Sequence, residues 1–260
     1  MSPRPMQKGF SLVELMISLT LGTLVTMAAI SMFSTNQRTF TLQRDLSEVQ
    51  EQGRFALDYI ARDLREFKLE DEDALTPVGA EVGLVRTPVT GITIPVAAEG
   101  GLAADANDRL TYAFHGFLDC EGDTIAGTVP GFIVNSYWVD ADGDLRCIGS
   151  VNPATTGITL LSDVNSFQVL YGIDAADDGL AAAGRYVPAS SVAATDQIVA
   201  IKVAFAASVP TPNPNDAEVN FQVLDKLLTT GTAPLDFAES RVVRLFSTTV
   251  KVRNFNWESI

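Results

Sequence analysis

The sequence has few of the residues from which metal centres and acid–base sites are built. Its 260 residues include two cysteines and one histidine. Cys120 and Cys147 do not form a CxxC pair and His115 has no companion histidine, so a zinc site is not expected. No GxSxG, Walker A or dinucleotide-binding motif occurs. We therefore expect neither an enzyme nor a bound cofactor.

Positive charge is also scarce. Lysine and arginine together number 18 against 32 aspartates and glutamates, which gives a formal net charge of -14. An acidic surface repels phosphate backbones, so the folded body is not expected to bind nucleic acid. With 47% hydrophobic and 19% charged residues, the chain has enough apolar side chains for a substantial core.

The first long apolar run extends from Phe10 to Phe33, and its only charged residue is Glu14. Such a run is long enough to cross a hydrocarbon layer of ~30 Å as a helix. A secretory signal carries its small-residue cleavage site after the apolar core, whereas Lys8 and Gly9 come before it here. Cleavage after Gly9 would therefore leave the helix on the mature protein. The basic leader predicts that the rest of the chain lies outside the cytoplasm.

Glu14 is costly in this position, because a carboxylate at the centre of a membrane helix costs about 2.5–3.5 kcal/mol. Cleavage after Gly9 would create a cationic partner, the α-amino group of Phe10. The two groups lie four residues apart on one helical face, so they can pair within a chain. They can equally pair between neighbouring chains, and Glu14 would then fix the axial register of an assembly.

The string KGFSLVEL resembles the processing and methylation motif of type IV prepilins. The resemblance implies that a prepilin peptidase cleaves between Gly9 and Phe10 and methylates the new amine of Phe10. Glu14 would then be the fifth residue of the mature chain and serve assembly. The alternative is an uncleaved signal anchor in which the glutamate is incidental.

Beyond the apolar run, residues three or four positions apart predict an amphipathic helix. They are Leu42, Leu46, Val49, Ala56, Ile60, Leu64 and Phe67, with Gly53 in the gap of the stripe. Charged residues are expected on the other faces: Glu48, Glu51, Arg54, Asp58, Arg62, Asp63 and Arg65. One continuous helix from Phe10 to about Phe67 is the simplest model. Two helices hinged near Thr35, or local unwinding at Gly22, are alternatives.

The segment EVQEQGRFALDYIARDLREF resembles the corresponding helix of PilW-type minor pilins. The later strings VNSFQVLYGIDAADDG and RVVRLFSTTVKVRNFNW resemble the same family more weakly. In the first segment, Gly53 followed by Arg54 and Phe55 is the kind of small-then-bulky step that lets a helix approach a sheet closely.

After an acidic, Pro- and Gly-containing exit at 70–83, β patterns dominate. Strands are predicted at 91–96, 108–114, 132–139, 145–148, 158–161, 164–172, 197–206 and 240–253. No second long helix is evident, although 217–228 is ambiguous, and 207–238 is expected to be a long surface excursion. The predicted fold is α+β, with the N-terminal helix packed on a mostly antiparallel sheet.

The expected divisions are a leader (1–9), a transmembrane or filament-core helix (10–35), an amphipathic half-helix (36–68) and a β-rich body (69–260). In an exported protein, Cys120 and Cys147 are expected to form a disulfide, which the chain-entropy model values at about 3–4 kcal/mol. Two free thiols in a cytosolic protein are the alternative.

Aspartates alternate in VDADGDLRC, which is expected to be a hairpin tip. Asp140, Asp142 and Asp144 make a weak calcium candidate, because the loop has Leu145 where a calcium loop requires glycine and lacks the final glutamate. A second acidic turn contains Asp174, Asp177 and Asp178. Alternation along the preceding strand predicts that one of Tyr137 and Trp138 is core and the other is on the surface, where a glycan-binding role is an alternative.

The resemblance implies a minor pilin that takes part in the assembly, initiation or tip complex of a type IV pilus. Its partners would be prepilin peptidase, other minor pilins, the major pilin and the bacterial inner membrane, and it would reach the assembled pilus at or near the tip. Two alternatives are a type II secretion pseudopilin that engages secreted substrate and a membrane-tethered domain for ligand binding or adhesion.

Overall fold

The computed structural model describes residues 9–66, 83–85, 88–89, 92–100, 106–127, 130–152, 156–174, 184–193, 196–210, 220–229 and 241–252. The chain divides into two compact units, residues 1–46 and residues 47–260. The leader residues before Gly9, the exit segment from 67 to 82, and Asp177 and Asp178 lie outside the described residues.

Helix α1 extends from Leu12 to Glu66. No proline occurs between Pro5 and Pro77, so nothing removes a backbone donor along the helix. The Ser11 hydroxyl accepts the Val13 N–H at 3.3 Å, as at a helix N-cap. The helix continues through Gly22 and Thr35, as the continuous model predicted, and no hinge interrupts it.

The first unit contains the apolar half of α1. One 18-residue window has a mean hydropathy of 1.9, and none of it is buried, so this helix is long and apolar enough to cross a membrane. Hydroxyl side chains along it donate back to carbonyls four residues earlier, for example Ser18 to Glu14 O and Thr26 to Gly22 O. These bonds satisfy the hydroxyls without a partner outside the helix.

The second unit contains two antiparallel sheets and a small hairpin. Sheet I has the order β1-β2-β3-β4-β5, with β1 Gly83–Leu84, β2 Leu110–Gly116, β3 Gly131–Val139, β4 Leu145–Gly149 and β5 Ile158–Leu161. Sheet II has the order β11-β8-β6-β7, with β6 Val164–Asp174, β7 Arg185–Val187, β8 Gln197–Pro210 and β11 Arg241–Lys251. The hairpin pairs β9 Asn220–Val223 with β10 Lys226–Thr229.

The predicted α+β class is confirmed, and most predicted strands lie within a residue or two of the observed bounds. The prediction at 91–96 is wrong for the described residues 92–96, which form no strand. Pro95 within them lacks the N–H that a ladder requires. Ala207 to Pro210 extend β8, and the ambiguous stretch contains a hairpin in which Leu224 takes a positive φ of 54°.

One hydrophobic core lies between the C-terminal turns of α1 and the two sheets. The helix contributes Ala56, Ile60, Ala61 and Leu64, and the sheets contribute large side chains that include Tyr112, Tyr137, Phe167 and Phe205. The segment around Val85 and Ile94 covers part of the other face of sheet I. The β9–β10 hairpin covers Ala204 and Ala206 on the other face of sheet II.

Candidate functional site

The predicted processing site lies at the exposed start of α1. Gly9 has open space around its α-carbon, and Phe10 is 83% exposed, so the bond between them is accessible. Glu14 lies in the first turn of the helix and is exposed. A carboxylate there interacts favourably with the positive end of the helix dipole. The pairing of Glu14 with the Phe10 amine stays a prediction, because that amine forms only on cleavage.

The second feature is a buried carboxylate at the junction of α1 and sheet I. Asp63 was predicted on a face of α1 other than the apolar stripe that packs on the body, and that prediction is wrong, because only 9% of the residue is exposed. Its Oδ2 accepts hydrogen bonds from the hydroxyls of Tyr112 and Tyr137 and from Nδ2 of Asn135, the last at 2.9 Å. One helical side chain is therefore tied to β2 and β3 together.

Burial and the negative charge of Asp63 hold the pKa values of Tyr112 and Tyr137 well above the ordinary tyrosine value. Both phenols are fully buried and stay protonated, which keeps them donors to the carboxylate. The two rings lie 6.4 Å apart and nearly parallel. This cluster of Asp63, Tyr112, Asn135 and Tyr137, here called the Asp63 cluster, fixes where α1 lies along sheet I.

Further contacts hold α1 on the sheets. Gly53 is buried, and a Cβ placed there would lie 2.6 Å from Cε2 of Phe246 on β11. The predicted close approach at Gly53 is thus confirmed. The prediction that bulky Phe55 helps the helix approach the sheet is not confirmed, because Phe55 is 62% exposed and contacts Tyr59 of its own helix, with the two ring centroids 6.1 Å apart.

Tyr59 connects α1 to the loop after β2. Its hydroxyl donates to the carbonyl oxygen of Cys120 at 2.5 Å, and Arg62 lies over its ring at 5.3 Å from the centroid. Cys120 is joined by a disulfide to Cys147 on β4, with their α-carbons 6.3 Å apart. The same loop therefore holds a hydrogen bond to the helix and a covalent bond to the sheet.

The disulfide loop also contains an acidic triplet that the sequence did not single out. The ligand atoms of Asp119, Glu121 and Asp123 all lie within 4.8 Å of one another. The carboxylates already accept backbone N–H groups, including those of Glu121 and Asp123 on Asp119 Oδ1 and that of Gly149 on Glu121 Oε2. Burial raises the pKa of Asp119, and the amide hydrogen bonds from Asp123, Val151 and Glu121 oppose that rise. These carboxylates organise the loop.

The predicted hairpin tip at Asp140 is present between β3 and β4. Asp140 Oδ1 accepts the N–H groups of Asp142 and Asp144, each at 3.0 Å, and its Oδ2 accepts from Arg146 at 3.0 Å. Burial raises the pKa of Asp140, but hydrogen bonds from Asp144, Arg146 and Asp142 outweigh it and lower the value overall. The turn itself accounts for Asp140, and calcium binding by Asp140, Asp142 and Asp144 stays an untested prediction.

The alternation predicted for Tyr137 and Trp138 is confirmed. Tyr137 lies in the core, while Trp138 is half-buried on the other face of sheet I, with the guanidinium of Arg109 4.8 Å from its ring centroid. A protein cation therefore lies over one face of the indole ring, and a glycan-binding role for Trp138 stays an untested prediction.

Comparison with known families finds two matches at opposite ends of the chain. A model described as the prokaryotic N-terminal methylation motif matches residues 4–30, and a model described as type IV pilus-assembly protein W matches residues 136–254. No curated protein matches the chain. Among solved structures, the type IV-like pilin TTHA1219 from Thermus thermophilus aligns with 15% identity and a TM-score of 0.45, covering 78% of this chain and 96% of that one.

The methylation motif spans Gly9, Phe10 and Glu14, and the second model spans β3 to β11. The motif implies processing by a prepilin peptidase and assembly with other pilins. Together with the exposed apolar helix, it indicates anchoring in the inner membrane and association with a pilus. Over these two ranges the chain is similar to the N-terminal methylation motif and to type IV pilus-assembly protein W.

Proposed function

We propose that the chain is a structural subunit of the complex that initiates or caps a type IV pilus. The observation that supports this most directly is the division of burial along α1. The core of the body is complete around Ala56, Ile60 and Leu64, whereas the side chains from Leu12 to Phe33 are exposed almost throughout. Such a surface needs lipid before assembly and neighbouring helices after it.

The proposed mechanism begins with cleavage between Gly9 and Phe10 and methylation of the new amine. While the subunit is in the bilayer, Glu14 lies near the end of the helix and reaches the polar interface. When the helix enters a bundle, Glu14 is desolvated and pairs with the methylated amine of a neighbouring chain. A misaligned helix leaves this carboxylate buried without a partner, which costs about 3–5 kcal/mol, so the pair selects one axial register.

The size of the body supports a position at the filament end. Nearly two hundred residues follow α1, and bulk of that kind is accommodated more easily at a tip than between packed subunits. Quantitative mass spectrometry of sheared filaments tests this assignment. A tip subunit is expected at a few copies per filament, independent of filament length. Copy numbers that grow with filament length would contradict the tip assignment.

The main experiment compares Glu14→Ala and Glu14→Asp with Ser18→Ala, an exposed control one turn further along α1. Intact mass reports leader removal and methylation, and affinity purification reports capture of other pilin subunits. We expect normal cleavage in all three variants. Capture should fall at least tenfold in Glu14→Ala, fall less in Glu14→Asp and be unchanged in Ser18→Ala.

Normal capture and normal filaments with Glu14→Ala would overturn the proposed register mechanism. Deletion of the whole chain supplies the second readout. Loss of surface filaments is the expected result. A secretion defect with normal filaments would instead indicate a pseudopilin, and normal filaments with normal secretion would indicate a tethered binding domain.

A further inference from the structure

The feature that the proposed function leaves unused is the outer edge of β11. Within the described residues, β11 pairs with β8 on one side and with no strand on the other, so it is an edge of sheet II. At 11 residues it is long for an edge strand. Long edges are ready templates for a strand from another chain unless the protein covers or breaks them.

The pairing of β11 with β8 shows which backbone groups face outward. The Val252 N–H donates to Val199 O at 3.0 Å, so this pair is hydrogen-bonded. Antiparallel pairs alternate between hydrogen-bonded and non-hydrogen-bonded, and the ladder is unbroken from Arg241 to Lys251. The even-numbered residues of β11 therefore bond to β8. The odd-numbered residues present their N–H and C=O groups outward: Val243, Leu245, Ser247 and Thr249.

Two contacts of β8 agree with this alternation of residues that bond to β8 and residues that face outward. Pro210, which has no N–H, lies opposite Arg241 at a pair that needs no hydrogen bond. The N–H of Ser208, opposite Val243, donates away from β11 to the carbonyl of Asp163 at 3.0 Å. Both place the free backbone groups of β11 on its odd-numbered residues.

A groove lies beside this edge. It has a volume of about 350 Å³ between β11 and the β9–β10 hairpin, and its lining includes Val223, Leu224, Leu245 and Ser247. Leu245 is 47% exposed. Side chains alternate across a strand, so a strand added to β11 would direct every second side chain to this face of sheet II. The groove would take an apolar one.

The charge of β11 indicates which kind of segment would bind at this edge. β11 contains Arg241, Arg244 and Lys251 and no acidic residue, in a chain whose net charge is -14. Arg241 pairs with Asp163, while Lys202 is the charged residue in the lining of the groove. In a symmetric pair of two copies, the β11 strands would run antiparallel with Phe246 at the centre. Arg241 of each copy would then lie opposite Lys251 of the other, and like charges directly opposite one another are destabilising.

We propose that the outer edge of β11, with the groove at Leu245, binds an extended acidic segment of a different pilin-type subunit, which adds to sheet II as a further strand. Backbone hydrogen bonds would supply the affinity, and the groove and the basic residues would supply the selectivity. The class of partner rests on the proposed function. The observations on the edge, the groove and the charge pattern do not depend on the proposed function.

The test places a photo-crosslinking amino acid at Ser247 in the full-length chain in its own cells, with Asp142 at the exposed hairpin tip as the control position. Mass spectrometry then identifies the adduct. The expected result is an adduct between position 247 and an acidic segment of another pilin subunit, at least tenfold above the Asp142 control. No adduct, or an adduct only with a second copy of this chain, would overturn the proposal.

Three variants, with the crosslinker moved to Thr249, test the mode of binding. Ser247→Pro removes an outward N–H and leaves the hydrogen bonds to β8 intact, whereas Ser247→Ala keeps that N–H. We expect at least a tenfold loss of adduct for proline and less than a twofold change for alanine. Lys251→Glu keeps the backbone and should lower the yield severalfold, so the test remains decisive if the proline variant unfolds. Equal yields in all three would contradict strand addition.

Failure of this inference can be separated from failure of the proposed function. If Glu14→Ala abolishes subunit capture but Ser247→Pro does not, the chain is an assembling pilin that does not use β11. If Glu14→Ala has no effect and the β11 adduct still forms, the edge is a binding surface of a protein that is not held by helix register.

Discussion

At the scale of single residues, the hydrogen bonds around Asp63 explain how a carboxylate can be buried between α1 and sheet I. A carboxylate removed from water is costly unless hydrogen bonds satisfy it. Here Tyr112, Tyr137 and Asn135 all donate to one oxygen, from two adjacent strands. The arrangement fixes one placement of the helix on sheet I, since a shift by one turn would bury the carboxylate without these donors.

Asp63→Asn should therefore destabilise the body strongly, because an amide accepts fewer of these hydrogen bonds and brings donors of its own. We expect a loss of about 2–4 kcal/mol in the free energy of unfolding, on the scale of hydrogen bonds to charged groups. Denaturant titration of the disulfide-intact chain in detergent measures it. Asp58→Asn, on an exposed face of the same helix, is the matched control. Equal effects at the two positions would show that burial of Asp63 contributes nothing.

The buried tyrosines predict a steep loss of stability in alkali. Burial raises the pKa values of Tyr112, Tyr137 and Tyr171, so these phenols stay protonated in the folded state while the unfolded chain ionises near pH 10. The folded state then holds more protons, and its stability is full below pH 10 and falls above it. Each tyrosine should contribute up to about 1.4 kcal/mol per pH unit.

Tyrosinate absorbance measured as the pH is raised checks this prediction. Ionisation of the three buried phenols should coincide with unfolding. Replacing Tyr137 by phenylalanine should make the stability curve less steep. Ionisation of Tyr112, Tyr137 and Tyr171 near pH 10 without unfolding would count against the buried cluster.

Spacing in the sequence singled out Gly9, Phe10 and Glu14 as candidate site residues, but it could not place Asp63. The charge of Asp63 predicted an exposed position, although the residue lies three positions after Ile60, in the same stripe as Leu64 and Phe67. The three hydrogen-bond donors that allow Asp63 to be buried lie 49 to 74 residues away in the chain. Periodicity along one helix carries no information about donors on distant strands.

At the scale of elements, the contact between α1 and β11 depends on Gly53 and Phe246. The ring of Phe246 stacks on Phe205 of β8 at 5.1 Å between centroids, and its edge occupies the space above Gly53. Any side chain at position 53 must push the ring or the helix aside. The close distance between the helix and the sheet therefore requires glycine at position 53.

Gly53→Val should destabilise the body by about 1–3 kcal/mol, as overpacking of a core does. Phe246→Ala alone should also destabilise it, because it leaves a cavity. Combined, the two should cost less than the sum of their separate effects, since the valine occupies space that the ring has vacated. Thermal denaturation of the four proteins measures this coupling. Strict additivity would show that the two positions do not share one space.

The element bounds show where local pattern is sufficient. A composition rich in β-forming residues between Gly, Asp, Asn and Pro turns located β3, β5 and β6, although β3 and β6 are buried along most of their length. It failed around Pro95, where the pattern suited a strand but the chain covers the second face of sheet I: Val85 accepts the Ala97 N–H at 2.7 Å, and Pro95 O accepts the Thr111 hydroxyl at 2.8 Å. Whether an apolar run joins a ladder or lies over one is decided by neighbours far away in the chain.

At the scale of the whole molecule, the two units need different surroundings. The exposed apolar half of α1 requires a membrane or other helices, and the disulfide requires an oxidising compartment. Both are met if the helix is anchored in the inner membrane and the body lies outside the cytoplasm.

Thiol labelling under denaturing conditions tests this orientation. With a polyethylene-glycol maleimide, the chain isolated from its own cells should show no mass shift before reduction and two added labels after it, since its two cysteines are bonded to each other. Cys147→Ser supplies the control, with one label before reduction. Two labels without reductant would place the body in the cytoplasm.

The hydrogen bond from Tyr59 to Cys120 has a mechanical consequence. In the filament proposed above, axial tension would reach the body through α1. Tension on the part of α1 that packs on the body enters sheet I at the Asp63 cluster and enters the loop after β2 at Tyr59. The Cys120–Cys147 bond then divides the load between that loop and β4. A covalent link where the helix pulls would keep a small sheet from peeling strand by strand, so reduced protein should yield at lower force than oxidised protein.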